Sequence, residues 1–232
     1  MSTLASNAYQ AIALTHLAAG TLALVTYWTA ALSRKTRYSL HVRAGNLYLW
    51  AMRAILVTAV PMAGAAFLKG QTAVGIFLSY LVVLVATTVY TAPKAVQCKQ
   101  DFERFRGGAF RALAISLPAV AAATFVYGVV VSNLLLGGFS IVGLVVGWQM
   151  WVTLRRTAAP AAGWWLKEHY GAMLGNGVGT HIAFLAIGLG RVLPPELAEV
   201  SQLIAWFGPL TVSTVATILL DRRHRARFGA AA

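Results

Sequence analysis

The run Ala44–Phe67, AGNLYLWAMRAILVTAVPMAGAAF, decides the fold. It holds 24 residues with a single charge, Arg53, and polar and apolar positions do not alternate. At about 1.5 Å per residue it can cross a hydrocarbon core roughly 30 Å thick, for which about 20 apolar residues suffice. A membrane β-strand would be about half as long and would alternate. A transmembrane helix is therefore predicted, because it satisfies its own backbone hydrogen bonds in lipid. Six further runs share this character: Ala8–Leu32, Thr72–Ala92, Ala112–Val131, Leu134–Leu154, Tyr170–Gly190 and Ser201–Leu220. The joints carry breakers or charges, namely Lys69-Gly70, Pro93-Lys94, Ser132-Asn133, Pro160 and Pro194-Pro195. Ser132-Asn133 is the weakest break, yet without it the combined run of about 40 residues would exceed any single crossing.

Composition agrees with this reading. Hydrophobic residues make up 59% of the 232-residue chain and charged residues 11%, and mean hydropathy is +0.70. Soluble domains carry about 25% charge, so the chain lacks the polar surface to cover a water-facing globule. The 19 Lys and Arg against 6 Asp and Glu give a net charge of +13. In a soluble chain that would suggest nucleic acid. Here the basic residues sit in short gaps between apolar runs, which excludes a nucleic-acid partner. A disordered chain is excluded too, and so is a disulfide scaffold, since Cys98 is the only cysteine.

The charges also orient the runs. The first, third and fifth loops and the tail hold 16 of the 19 basic residues; the opposite side holds Lys69 and Arg191, and Arg53 lies within a run. By the positive-inside rule the N-terminus is outside and the C-terminus cytoplasmic, which requires an odd number of crossings. The first run is read as retained rather than as a cleaved signal peptide. It is long, has no basic segment before it, and is followed by Arg34, Lys35 and Arg37, a stop-transfer pattern. The third loop mixes Phe102, Phe105 and Phe110 with charges. It is expected either on the inner leaflet as an amphipathic piece or as a solvated connection. Trp164-Trp165, Trp148 and Trp151 fit an aromatic belt. Gly143-xxx-Gly147 and the stripe Gly171, Gly175, Gly179 read as helix-packing faces.

Several chemistries are ruled out by what the runs lack. All five lysines lie in loops, so a retinal Schiff base has no residue to form on. All six acids, Asp101, Glu103, Glu168, Glu196, Glu199 and Asp221, lie in loops or at their margins. A proton-coupled transporter or a carboxylate-based metal hydrolase is correspondingly a poor fit.

Five histidines remain. His224 falls in the basic tail and is expected in solvent. His16 lies about 12 Å below the outer end of the first run, and His181 about 15 Å below the same surface in the sixth. His41 and His169 stand at the cytoplasmic starts of the second and sixth runs. The four thus fall into two pairs at matched depth, His16 with His181 and His41 with His169. Three share a local pattern, His16-x3-Gly20, His41-x3-Gly45 and His169-x3-Met173. A glycine four residues on leaves a flat recess beside the imidazole. Two imidazoles facing each other across a bundle are the usual axial ligands of low-spin haem b. Two such sites would form a transmembrane electron wire.

Arg53 would meet a haem propionate or a quinone; snorkelling or backbone carbonyls are its plainer fates. In the sixth run, His169 and His181 are 12 residues apart, or about 120° around a regular helix. They face one partner only if a π-bulge near Gly175–Gly179 unwinds the helix. Otherwise they address different neighbours. Simple hydrogen bonding between helices is the competing reading for all four histidines, and a zinc site a third.

The opening H-x3-G, the basic loop leading to H-x3-G-x2-Y (His41, Gly45, Tyr48), and the late His169-x3-Met173 followed by Ala183-Phe184 and Arg191 together form a pattern. It resembles the bacterial predicted membrane proteins grouped as domain of unknown function 2306. The likeness covers the first, second and sixth runs, with Thr36 where the group usually has glycine after the basic pair. It implies a polytopic inner-membrane protein with histidine-bearing helices and supplies no activity.

The expectation is one all-α domain over residues 1–232, a seven-helix bundle in a bacterial inner membrane. Its function would be that of a haem b protein carrying electrons across or within the bilayer, with His16, His181, His41 and His169 as ligands. A separate electron donor and acceptor would be needed, a quinone being one candidate, and association would run through the glycine-rich faces. The alternative is a non-catalytic subunit or a small-solute- or lipid-binding protein with structural histidines. Cys98 has neither partner nor motif and is assigned no role.

Overall fold

The computed structural model describes residues 3–36, 39–160 and 162–229, and side chains within these except 3–5, 187–192 and 195. Arg37 and the side chain of Arg191 therefore lie outside the described residues. The long helices are α1 (Thr3–Leu32), α2 (Leu40–Leu68), α3 (Thr72–Gln97), α5 (Gly108–Val130), α6 (Leu134–Arg155), α7 (Trp164–Val192) and α8 (Ala198–Phe228). A single turn, α4 (Phe102–Phe105), precedes α5, and a 3₁₀ turn (Pro195–Leu197) precedes α8. The described residues contain no strand.

Among the described residues, six of the seven long helices, α1, α2, α3, α5, α6 and α8, are long and apolar enough to cross a membrane. Their outward faces are correspondingly apolar: Val57 is 73% exposed, Leu14 67% and Leu68 92%. An apolar surface of this extent cannot face water, and the chain is an all-helical, multi-pass membrane protein. Prolines 61, 93, 118 and 209 lie inside helices. Neighbouring helices make this tolerable where water is absent. Pro93, expected to end the third run, is instead carried within α3 to Gln97.

Helix α3 is central and packs on α2, α5 and α7; α1 adds to α2 and α7, α8 to α7, and α6 to α5. The Ser132-Asn133 break is real. Ser132 adopts φ +53°, and the Asn133 side chain caps α6 by accepting from the Leu136 N–H at 3.1 Å. The α5–α6 hairpin is so tight that a Cβ on Gly128 would stand 2.6 Å from the backbone nitrogen of Gly137. The expected packing at Gly143 and Gly147 is present, against Tyr80 and Ala121 in one case and Pro118 in the other.

The third loop is neither a leaflet-bound amphipathic piece nor a solvated connection. It folds inward. Phe102, Phe105 and Phe110 are buried, with Trp164 packed against Phe102 and Phe105 at ring separations of 5.0 Å. Arg106 is buried with them and donates to the terminal α6 carbonyls of Thr153 and Leu154, to that of Arg156, and to Glu103. A guanidinium with several donors satisfies helix-end carbonyls that otherwise lack partners. Trp164 is thereby a core residue rather than a belt residue, whereas Trp148 and Trp151 stay exposed and stacked.

The tail is docked as well. His224 Nε2 donates to the Gly163 carbonyl at 3.0 Å and its ring packs on Phe228, so the solvated tail histidine expected from the sequence is not found. Asp221 accepts from Lys167 and from the Tyr170 hydroxyl. These contacts gather the third and fifth loops and the tail at one end of the bundle, the basic end.

Candidate histidine site

All four helix histidines have one ring nitrogen fixed by a neighbour, and in each case the neighbour reveals the tautomer. His41 Nδ1 lies 2.9 Å from the Ala30 carbonyl of α1, and His169 Nδ1 lies 2.9 Å from the Ala92 carbonyl of α3. A carbonyl can only accept, so both Nδ1 atoms carry a proton, and in the neutral imidazole each Nε2 then carries a lone pair. The same holds for His181, whose Nδ1 donates to the Gly177 carbonyl at 2.7 Å. His16 Nδ1 sits 2.8 Å from the Thr58 hydroxyl. That hydroxyl spends its own proton on the Ala54 carbonyl and therefore accepts from His16.

The four differ at Nε2. The rings of His41 and His169 are neighbours, with centroids 6.4 Å apart and planes at 80°. No hydrogen bond among the described residues joins them or occupies either Nε2. A metal held between two imidazole nitrogens at about 2.0 Å each would place the centroids roughly 6.3 Å apart. Direct hydrogen bonding would need a separation about 1 Å shorter. The spacing thus matches two ligands with one metal between them. A hydrogen bond from Nδ1–H to a carbonyl is also the usual outer support of a metal-bound imidazole, since it fixes the tautomer and raises the basicity of the other nitrogen.

Space accompanies His41: Gly45, one turn beyond it on the same helix face, could carry a Cβ with nothing within 4 Å. The recess expected beside His41 is therefore open. The recess expected at Gly20 is filled, since the ring of Phe184 stands 3.6 Å from the position of a Cβ there.

That Gly20–Phe184 contact also fixes the register of α1 against α7, and with it the fate of the outer pair. His16 lies one turn outward of the contact and His181 three residues inward, a difference in depth of about 10 Å. His16 and His181 are not partners. Nε2 of His181 instead accepts from the Trp28 indole N–H at 2.9 Å, so both of its nitrogens are in use. Its ring packs edge-on against Tyr27 and Trp28. His16 reaches across to α2 only. The expected second bis-histidine site is not formed, because register between helices far apart in sequence sets the depths.

Helix α7 is regular α-helix throughout, without a π-bulge. Its two histidines accordingly address different neighbours, His169 the α2–α3 side and His181 the α1 side. Gly175 and Gly179 of the expected stripe pack on Thr88 and Val85, yet the closest approach on α7 is at Gly177. A Cβ there would lie 2.5 Å from the Tyr27 ring.

Arg53 belongs to neither histidine site. It lies on the exposed face of α2, with its guanidinium 4.5 Å above the Trp50 ring. It is 12 residues, or about 18 Å along the axis, from His41. A propionate at the His41–His169 site is out of its reach. Trp28 and Thr58, which hold His181 and His16, carried no signal in the sequence. Pairing across 153 and 42 residues is a tertiary outcome.

Fold and site together define a class, a polytopic helical membrane protein with two neighbouring imidazoles at its basic end. No family model matches the chain, and no curated protein or solved structure shows significant similarity to it.

Proposed function

We propose that the chain is a one-electron carrier that holds a single haem b between His41 and His169, near the basic end of the bundle. The observation carrying this reading is the neighbouring pair: 6.4 Å between centroids, both Nδ1 protons committed to carbonyls, and no hydrogen bond to either Nε2 among the described residues. Among the described residues, no group of three or more His, Cys, Asp or Glu could hold a metal ion. Two imidazoles leave a bare zinc ion two ligands short of its usual four. Haem requires only two axial ligands from the protein, because the porphyrin supplies the equatorial nitrogens. When bound, the group supplies reversible one-electron chemistry without proton transfer from this chain. His41 and His169 would hold it, and the Ala30 and Ala92 carbonyls would orient the two rings. Gly45 leaves room beside His41.

The reading extends to topology. With α7 counted among the crossings there are seven, and the positive-inside rule then puts the basic end, with the C-terminus, in the cytoplasm of a bacterium and the N-terminus outside. One haem at one face does not form a wire across the bilayer. Electrons would pass within the cytoplasmic half, between a separate donor and acceptor, a quinone being one candidate. Membership in the group resembled by the histidine motifs is likewise a proposal, resting on those motifs.

The test is a visible spectrum of the purified protein, oxidised and then reduced with dithionite. A Soret band that sharpens and shifts, with a resolved α-band, is expected. A colourless protein, folded and prepared with haem available, would reject the reading. It would leave the second one standing, a subunit whose histidines only join helices, as His16–Thr58 and His181–Trp28 do.

A further inference from the structure

A second feature, independent of the histidines, lies on the outside of α2. Residues Asn46, Trp50, Arg53, Val57, Val60 and Gly64 are all exposed. Their spacing alternates four and three, the a and d positions of a heptad repeat, which form one continuous stripe along a helix. The opposite side of α2 holds the residues that it buries against its neighbours, among them Tyr48, Met52 and Ala63. The exposed stripe is a seam on which, among the described residues, no element of this chain rests.

Arg53 is at the centre of that seam. It lies 9 residues inside the apolar run that begins at Ala44 and 14 from its end at Phe67, about 14 Å from the nearer edge. That is beyond the distance over which an arginine can extend its head to a membrane surface. Trp50 offers a π-face to the guanidinium at 4.5 Å, which offsets part of the cost of burying a cation. The five N–H donors still need acceptors. The ion pairs among the described residues are Arg106–Glu103 and Lys167–Asp221, and neither involves Arg53. An arginine at such depth is expensive unless paired.

The identity of the missing anion follows from the chain itself. All six of its acids lie in loops or near helix ends: Asp101, Glu103, Glu168, Glu196, Glu199 and Asp221. A second copy placed on this seam would bring another Arg53 and no carboxylate at that level. Self-association here would therefore set two cations against each other.

We infer that the α2 seam binds one transmembrane helix of a different subunit, which carries an Asp or Glu at mid-membrane depth. Its carboxylate accepts from the Arg53 guanidinium. Trp50 packs beside the pair, and Gly64 lets the two backbones close together toward the other end. Tryptophan and arginine are the residues most often found at the energetic centre of an interface.

The probe is a synthetic Leu/Ala transmembrane peptide with lysine flanks and one central Glu. It is compared with the same peptide bearing Gln, and with one whose Glu is moved by a turn. Association with the labelled full-length protein is read by energy transfer in phosphatidylcholine vesicles. The central-Glu peptide is expected to bind about tenfold more tightly than the Gln peptide, the size of one strong interhelical hydrogen bond. Arg53→Leu should abolish that preference, Arg53→Lys should retain much of it, and the displaced Glu should lose it. Equal binding of the Glu and Gln peptides, or a preference that survives Arg53→Leu, would overturn the inference. So would a preference lost when phosphatidylglycerol replaces the neutral lipid, since Arg53 would then belong to a headgroup phosphate. Cross-linking of two copies through Val57→Cys in preference to binding the peptide would also contradict it.

Discussion

The basic end of the bundle and its middle use the same residue to different ends. In both regions histidine donates from Nδ1 to a neighbouring oxygen. At the basic end, the rings of His41 and His169 then stand 6.4 Å apart by centroid, with no hydrogen bond to either Nε2 among the described residues. In the middle, the Nε2 lone pair of His181 is capped by Trp28 and His16 has no imidazole opposite. A histidine becomes a ligand through what stands at its second nitrogen. Placement in an apolar helix does not decide it.

Substitution should break this contrast most visibly at the ligand pair. His41→Ala and His169→Ala are each expected to remove the whole haem absorption, whereas His16→Ala and His181→Ala should retain it. A spectrum that loses half its intensity in His181→Ala would restore the two-site arrangement. A sharper form of the same test is electron paramagnetic resonance. Ring planes at 80° predict one strongly anisotropic low-spin ferric signal, and a rhombic signal would mean near-parallel ligands.

Stability changes come next in size. Arg106→Ala is expected to cost about 3 kcal/mol in unfolding, because it strips the carbonyls at the end of α6 and leaves Glu103 without its partner. The absorption should persist in whatever fraction remains folded. Gly177→Ala should cost roughly 1–3 kcal/mol by forcing a methyl against Tyr27, without altering the spectrum. The smallest effect is expected of Trp28→Phe, about 1 kcal/mol for one lost hydrogen bond to His181. A larger loss, or a spectral change, would give the middle of the bundle a role beyond joining helices.

Much of the helical architecture was legible in the chain because hydrophobic length is a local property. The runs beginning at Thr72 and Leu134 match their helices at the first residue, and the Ser132-Asn133 joint is a true turn. Pro93 misled because a proline within a packed membrane helix is tolerated. The third loop misled because phenylalanines among charges look alike whether they face lipid or a core. Its inward fold depends on Arg106 finding the carbonyls at the end of α6, 47 to 50 residues on. Among the histidines, His41 and His169 could be placed together because both begin a helix at the same end, so that depth needs no register. Depths for His16 and His181 were counted from uncertain helix ends in opposite directions. An error of two turns separated a ligand pair from two unrelated hydrogen bonds.

The most direct measurement is the haem content of the purified chain, extracted and quantified against protein. One haem per chain is expected, falling to none in His169→Ala. Two per chain, or one that persists without His169, would contradict the account.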